Sequence, residues 1–348
     1  MRDIKPNTKM GFGIFMAYFF DKGRFVTKAR NKPKEIYALH EPIDFMNQKR
    51  IQIDTGSDSN YIQLARQDRK LHEKYKKILA NDYILYFHQN TISKFYKRSY
   101  VQELFQRKDL IRHKDTFYTL DEPANRKLND EVPKKLLVIF TCMPDAKRYD
   151  SSLIPNRMFP KFFDGIERSL VKNVYTLRIM ELNVSHGSHY ISTTIYPEYE
   201  EGIQSTILKV MEEFNIYKEH VVLYGGSKGS TGPIYHGTAL DMNTLAVDPI
   251  FNIGGALEQK NRRFLKNLRK DDLVPQINQH LDNGNEYTKY VICSENVELY
   301  YKQTDRIDAS KIYKINLADK HITSHPEVSR NSLPEQLTSI NNFFATHI

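Results

Sequence analysis

Hydrophobic and polar positions divide the chain into two stretches of different character. Up to about residue 130 the pattern is irregular. Residues 57–80 (SDSNYIQLARQDRKLHEKYKKILA) open on capping residues and carry Ile62, Leu64, Leu71, Tyr75, Ile78 and Leu79 among many charges, which predicts an exposed amphipathic helix. Residues 82–88 (DYILYFH) predict a strand, and 98–111 (RSYVQELFQRKDLI) a second, basic helix. The polar stretch 121–133 has no apolar period and reads as a linker.

Beyond Pro133 the pattern becomes regular. Residues 135–141 (KLLVIFT) form a continuous apolar run of strand length, as a strand buried on both faces should. Helical and strand patterns then alternate: helix 159–170, strand 174–182, helix 199–214, strand 220–224, helix 230–240, strand 244–247, helix 257–268, strands 287–293 and 311–317, and a last helix from 333 to about 344. Such alternation predicts an α/β fold with a mostly parallel sheet covered by helices on both faces, preceded by a basic mixed α/β region. Residues 1–130 and 131–348 are the expected domains. A ligand site in such a sheet belongs beyond the carboxyl ends of its strands.

With 348 residues, 40% hydrophobic and 27% charged, the chain can bury a core, which excludes fibrous and mostly disordered classes. Its net charge of +9 is unevenly spread: 26 basic against 16 acidic residues up to position 130, 25 against 26 after it. A basic first third suggests an anionic partner such as a charged glycan or an acidic surface, and it carries no recognisable nucleic-acid motif. Two cysteines, Cys142 and Cys293, make no disulfide framework and no zinc spacing, so reduced packing thiols and a cytoplasmic setting are expected. The apolar run Met10 to Phe20 is 11 residues, against about 20 for a bilayer span. Arg2, Lys5 and Lys9 precede it, but no small-residue cleavage site follows, so it reads as a buried element rather than an export signal.

The chemistry is concentrated at one strand end, HVVLYGGSKGS, residues 220–230. Gly225-Gly226-Ser227-Lys228-Gly229 is a G-x-S-x-G between a predicted strand and helix, the context of a nucleophile elbow. There the serine occupies a sharp strained turn that exposes its hydroxyl, and flanking glycines let backbone approach backbone. Nineteen serines and 15 glycines in 348 positions would give about 0.035 chance matches, and the strand-to-helix setting narrows that further. The sequence GGSKGST lacks P-loop spacing, and no dinucleotide-binding glycine pattern follows a first strand.

A serine nucleophile requires a base and an orienting acid, which follow it in chain order in this type of fold. His321 and His325 lie in the loop before the last helix, with His325 nearer the helix and preferred as base; His236 and His280 are expected at the surface. Four carboxylates compete for the third role. Glu295 follows the strand ending at Cys293 and is preferred, Glu298 and Asp305 stand behind it, and Asp248 lies one strand earlier. The developing oxyanion would be held by the backbone N–H of Lys228 and by that of Met143 or Cys142 after the first strand, since Pro144 has none.

The segments GGSKGSTGPIYHGTAL, TLAVDPIFNIGG and SHGSHYISTTIYPEYEEGIQSTI resemble capsular polysaccharide biosynthesis proteins of the XcbB/CpsF type. More distantly they resemble the accessory Sec system proteins that O-acetylate sugars on adhesins, and meningococcal capsule O-acetyltransferases. The similarity covers about residues 134–348. It implies an α/β-hydrolase fold with Ser227 as nucleophile and a late histidine as base. Where that pattern has a clear aspartate after the seventh strand, this sequence has SENVE. The resemblance also implies O-acetyl transfer from acetyl-CoA to a capsule sugar, with an anionic capsule polysaccharide and capsule synthesis enzymes at the inner membrane face as partners. A carbohydrate esterase using the same site and a non-catalytic assembly partner are the rival readings. No permanently bound cofactor or metal is expected.

Overall fold

Alternate residues of a strand point to opposite faces, and in the strand Lys135–Phe140 both sets are apolar after Lys135. Leu136, Val138 and Phe140 enter one buried cluster while Leu137 and Ile139 enter another. The strand is therefore central, with a hydrophobic layer on each side. The computed structural model describes residues 36–46, 48–123, 128–129, 131–252 and 261–345. The apolar run at residues 10–20 lies outside them.

In chain order, β1 (Tyr37–Ala38), β2 (Arg50–Asp54), α1 (Tyr61–Gln67), α2 (Arg69–Ala80), β3 (Tyr83–Gln89) and β4 (Ile92–Lys97) build a small four-stranded sheet, order β1-β2-β4-β3, with its two helices. The helix expected over 57–80 is interrupted at Asp68, which ends α1 with extended backbone and caps α2 by accepting from the Leu71 N–H. Residues 98–104 form a 3-10 helix rather than the start of an amphipathic α-helix. They lead into a hairpin of β5 (Ile111–His113) and β6 (Thr116–Asp121). Thr, Phe and Tyr at 116–118 suit a pleated surface, and pairing with a neighbouring strand outweighs the weak helical period before them.

Those two strands extend the large sheet. With β7 (Lys135–Phe140), α3 (Ile154–Met158), β8 (Val174–Met180), α4 (Tyr199–Phe214), β9 (Val221–Gly226), α5 (Thr231–Ala239), β10 (Asn243–Val247), α6 (Val274–Asn283), β11 (Lys289–Cys293), α7 (Glu298–Thr304), β12 (Tyr313–Asn316), α8 (His325–Asn331) and α9 (Leu333–Ala345), the order is β12-β11-β10-β9-β7-β8-β6-β5. Pairings from β12 through to β8 are parallel, whereas β6 is antiparallel to both β8 and β5. The sheet is thus mixed, where a mostly parallel one was expected; the difference lies in strands recruited from before residue 130. Residue 130 itself is outside the described residues, and Glu35–Ile348 form one compact unit.

Helices cover both faces. Ile203, Ile207 and Val210 of α4 pack on the face shared by Val221 and Leu223 of β9. Val328 of α8 and Ile340, Phe343 and Phe344 of α9 pack on the other, with Val222 and Tyr224. Over 159–170 the chain makes only a 3-10 turn, Ile166–Ser169, and of the expected helix 257–268 the described part, 261–268, contains turns. The small sheet's core continues into Val184, Phe264, Leu265 and Leu268, so the N-terminal helices press on loops that border the carboxyl ends of the strands. Among the described residues no helix is long and apolar enough to cross a membrane.

Candidate active site

Strand β9 ends at Gly226, and Ser227 follows with φ +56°, in the left-handed region that costs an L-residue energy. A 3-10 turn, Ser227–Ser230, then launches α5. The glycines are required sterically. A Cβ on Gly225 would stand 2.4 Å from the carbonyl oxygen of Gly229, and one on Gly229 would stand 2.2 Å from that of Phe140. Ser230 donates its hydroxyl to the Ser227 carbonyl and closes the turn.

His325 is the first residue of α8, placed by a capping box in which Ser324 and Glu327 satisfy each other's backbone. Its Nε2 lies 2.6 Å from Ser227 Oγ, and its Nδ1 lies 2.5 Å from Asp248 Oδ2. A carboxylate only accepts, so Nδ1 carries the proton and donates to Asp248, which leaves Nε2 to accept from the serine hydroxyl. The ring also packs against Tyr300, with centroids 4.4 Å apart.

Asp248 follows β10 directly, with φ +50°, and its side chain is 1% exposed. Burial pushes its carboxyl above the usual carboxylate range, and the hydrogen bond from His325 opposes the rise. Its Oδ1 accepts from no described donor. Sheet register explains its position: Val247 of β10 sits opposite Gly226 of β9, so Asp248 and Ser227 leave adjacent parallel strands side by side. Such strands are about 4.8 Å apart.

The carboxylate beside His325 is therefore Asp248, not the preferred Glu295. Glu295 is exposed at the end of β11, two strands from β9, about 10 Å away at that spacing. Glu298 is exposed and pairs with Lys302, Asp305 is exposed and pairs with Lys314, and His321 is exposed as well. His236, expected at the surface, is fully buried: its ring bonds the Tyr190 carbonyl at 2.9 Å, stacks on Phe140, and is held down to about 4 by burial. His280 is half-buried, 3.3 Å from Thr238 Oγ1.

Met143 and Lys228 leave adjacent strands at the same end of the sheet, since Phe140 of β7 is opposite Gly225 of β9. The Lys228 side chain has a place that sequence reasoning did not anticipate. It is fully buried and ion-paired with the equally buried Glu181, while Glu181 Oε1 accepts the Tyr190 N–H at 2.6 Å. The pair ties the elbow to the loop 181–191, every residue of which is buried. Cys142 and Cys293 are free thiols, pushed up by burial to about 11 and about 12, and so remain protonated and unreactive. Among the described residues no cluster of three metal-ligating side chains occurs. A cavity of about 370 Å³ lined by Arg107, Asp121, Phe159, Glu167 and Arg178 contains none of Ser227, His325 or Asp248, and most of its charges pair with one another.

No protein-family model matches the chain. Over 97 residues it is 34% identical to an accessory Sec system protein of Staphylococcus aureus, a stretch that covers 28% of this chain and 18% of that protein's length. Similar solved structures include a ferulic acid esterase, with TM-score 0.46 and 14% identity over 68% of this chain and 96% of that one. They also include the capsule O-acetyltransferase of Neisseria meningitidis serogroup A, with TM-score 0.42 and 11% identity over 66% and 93%.

Proposed function

We propose that the protein is a serine-dependent acyl-transfer enzyme in which Ser227 is the nucleophile, His325 the general base and Asp248 the orienting acid. The observation that carries this reading is the unbroken line of hydrogen bonds Ser227–His325–Asp248 beside an elbow held in left-handed backbone. As Ser227 Oγ attacks an acyl carbonyl, its proton passes to His325 Nε2, and the imidazolium so formed is stabilised by the buried Asp248 carboxylate. The tetrahedral oxyanion forms near the backbone N–H groups of Lys228 and Met143. It collapses to acyl-Ser227 as His325 returns the proton to the leaving group. An acceptor hydroxyl, deprotonated in turn by His325, then takes the acyl group and frees the serine.

The finer reading is O-acetyl transfer from acetyl-CoA to a sugar hydroxyl of a capsule polysaccharide, in the cytoplasm. It is supported by the resemblance carried by residues around Ser227, with which the relation to an accessory Sec system protein is compatible. The basic N-terminal region would hold an anionic glycan or dock on partner enzymes. Of its excess charge, nine basic against three acidic residues lie at positions 1–35, outside the described residues.

The test is to label the protein with a fluorophosphonate, and to incubate it with acetyl-CoA and candidate glycans under mass spectrometry. Labelling at Ser227 and acetylation of the glycan are expected, both abolished in Ser227→Ala. Transfer that survives in that variant would overturn the mechanism. Acetyl ester hydrolysis with no transfer to any glycan would assign the site to an esterase.

A further inference from the structure

Two arginines near the site have no acidic partner within ion-pair distance among the described residues. Arg269 is buried, spends Nε and Nη1 on the carbonyls of Lys270 and Ser188, and leaves Nη2 without a partner among the described residues. Arg263 is half-buried, and its Nε also lacks one. Its Nη1 donates to His189 Nε2 at 2.6 Å. The opposite nitrogen of that buried ring, Nδ1, lies 3.3 Å from Thr231 Oγ1, and the Thr231 hydroxyl donates to the Ile250 carbonyl at 2.8 Å. Donors and acceptors along this line agree in direction only if His189 is neutral, with its proton on Nδ1. Burial and the nearby charges of Arg263, Arg269, Lys228 and His325 all hold it neutral.

The line fixes Arg263 at the rim of the candidate active site. Thr231 begins the helix launched by Ser227, Ile250 lies two residues after Asp248, and Arg263 acts electrostatically on Tyr300, the ring that packs on His325. Phe264 and Leu265, the next two residues, are buried in the N-terminal core, which holds the segment rigidly. In the ledger of fixed charges Lys228 and Glu181 cancel. Asp248 is committed to His325, and Arg269 feels Glu181 and Asp271 at a distance, which leaves Arg263 without an acidic partner among the described residues. A partly buried guanidinium without an acidic partner is costly by itself and favourable once an anion arrives.

We infer that Arg263 forms an anion subsite beside Ser227, taking a carboxylate or phosphate oxygen of the substrate through the donors that His189 leaves free. Arg263 is a specificity residue: it sets which acyl donor or acceptor is held in reach of the serine. The inference rests on the proposed acyl-transfer reading for its biological sense, and on the local geometry for its existence. The anion has two sources, the phosphates of a CoA thioester or an acidic sugar of the acceptor.

The test uses the full chain carrying Ser227→Ala, which binds without turnover, titrated calorimetrically with CoA, with a uronic acid oligosaccharide and with its carboxyl-reduced neutral counterpart. Adding Arg263→Gln should weaken one anionic probe about tenfold or more, as loss of a charge-assisted contact does. Arg263→Lys should recover part of that affinity, and a lower salt dependence should accompany the loss. A loss for CoA assigns the subsite to the donor, and a loss for the uronate assigns it to the acceptor. Binding of neither anionic probe, or equal binding by the Ser227→Ala protein with and without Arg263→Gln, overturns the inference. Thermal melting of each variant separates misfolding from lost contact. Failure of the fluorophosphonate to label Ser227 in the unsubstituted protein would sink the acyl-enzyme reading alone, because the titration needs no nucleophile.

Discussion

Asp248→Asn isolates the charge that the fold places behind His325. The backbone tolerates the change, because asparagine adopts left-handed conformations at least as readily as aspartate, and Asp248 has φ +50°. Two orientations are open to the amide. With its oxygen toward His325 Nδ1, the ring keeps its tautomer and the NH₂ group occupies the position of Oδ1, which accepts from no described donor in the unsubstituted protein. With the NH₂ group toward Nδ1 the bond survives, but the ring must carry its proton on Nε2, and it can then no longer accept from Ser227. That second orientation is inactive. In either, the imidazolium loses its counter-charge. A loss of about 10⁴-fold in kcat/KM is expected, as for other triads with this change, or about 5.5 kcal/mol of transition-state stabilisation. The assay is hydrolysis of 4-nitrophenyl acetate, with Glu295→Gln as control, expected within about twofold because exposed substitutions away from the site change little.

Stability should move differently. The folded carboxyl titrates above its unfolded value, so the native state binds more protons between the two pKa values. Stability then falls as pH rises through that window, and the cost persists above it. Removing the charge relieves this cost, so Asp248→Asn should melt at pH 7 no lower than the unsubstituted protein. Retention of more than a tenth of kcat/KM by Asp248→Asn, or an equal loss in Glu295→Gln, would refute the assignment of the acid.

Two further outcomes concern the buried polar groups. Lys228→Met leaves Glu181 charged and buried and should cost about 3–5 kcal/mol in urea denaturation. Adding Glu181→Gln should recover part of that cost, and the absence of any recovery would show that the two do not act as a pair. His186 and His236 are held neutral by burial at about 3 and about 4 against an ordinary 6.5, so the unfolded chain binds more protons in between. Stability should therefore decline as pH falls from 6.5 toward 4, and His186→Gln should flatten that decline in thermal melts; an unchanged slope would count against it.

Local pattern carried much of the second part of the fold. The helix at 199–214 and the strands at 135–141, 174–182 and 220–224 agree with the structure to within two residues, because a doubly buried strand and an amphipathic helix each have a period that needs no partner to be read. The elbow was legible for a similar reason. Gly225, Ser227 and Gly229 meet across a single turn, so their constraint is written in adjacent letters. The hairpin at 111–121 was not legible, since it is stabilised by β8, whose paired residues lie about sixty positions further on.

The same distinction runs through the site. Sequence alone pointed to Ser227 as the proposed nucleophile and narrowed the proposed base to His321 or His325, because both follow from position relative to a predicted element. The proposed acid is visible only in the tertiary structure. Asp248 and His325 are 77 residues apart, and nothing in TLAVD distinguishes that aspartate from three other carboxylates. What distinguishes it is that β10 lies beside β9 in a register pairing Val247 with Gly226. The neighbours Glu181, His189 and Arg263, buried or half-buried, come to the candidate site in the same way. Each gains its role from burial and from partners distant in sequence, and charge burial is a property of the packed chain, which no local pattern of residues expresses.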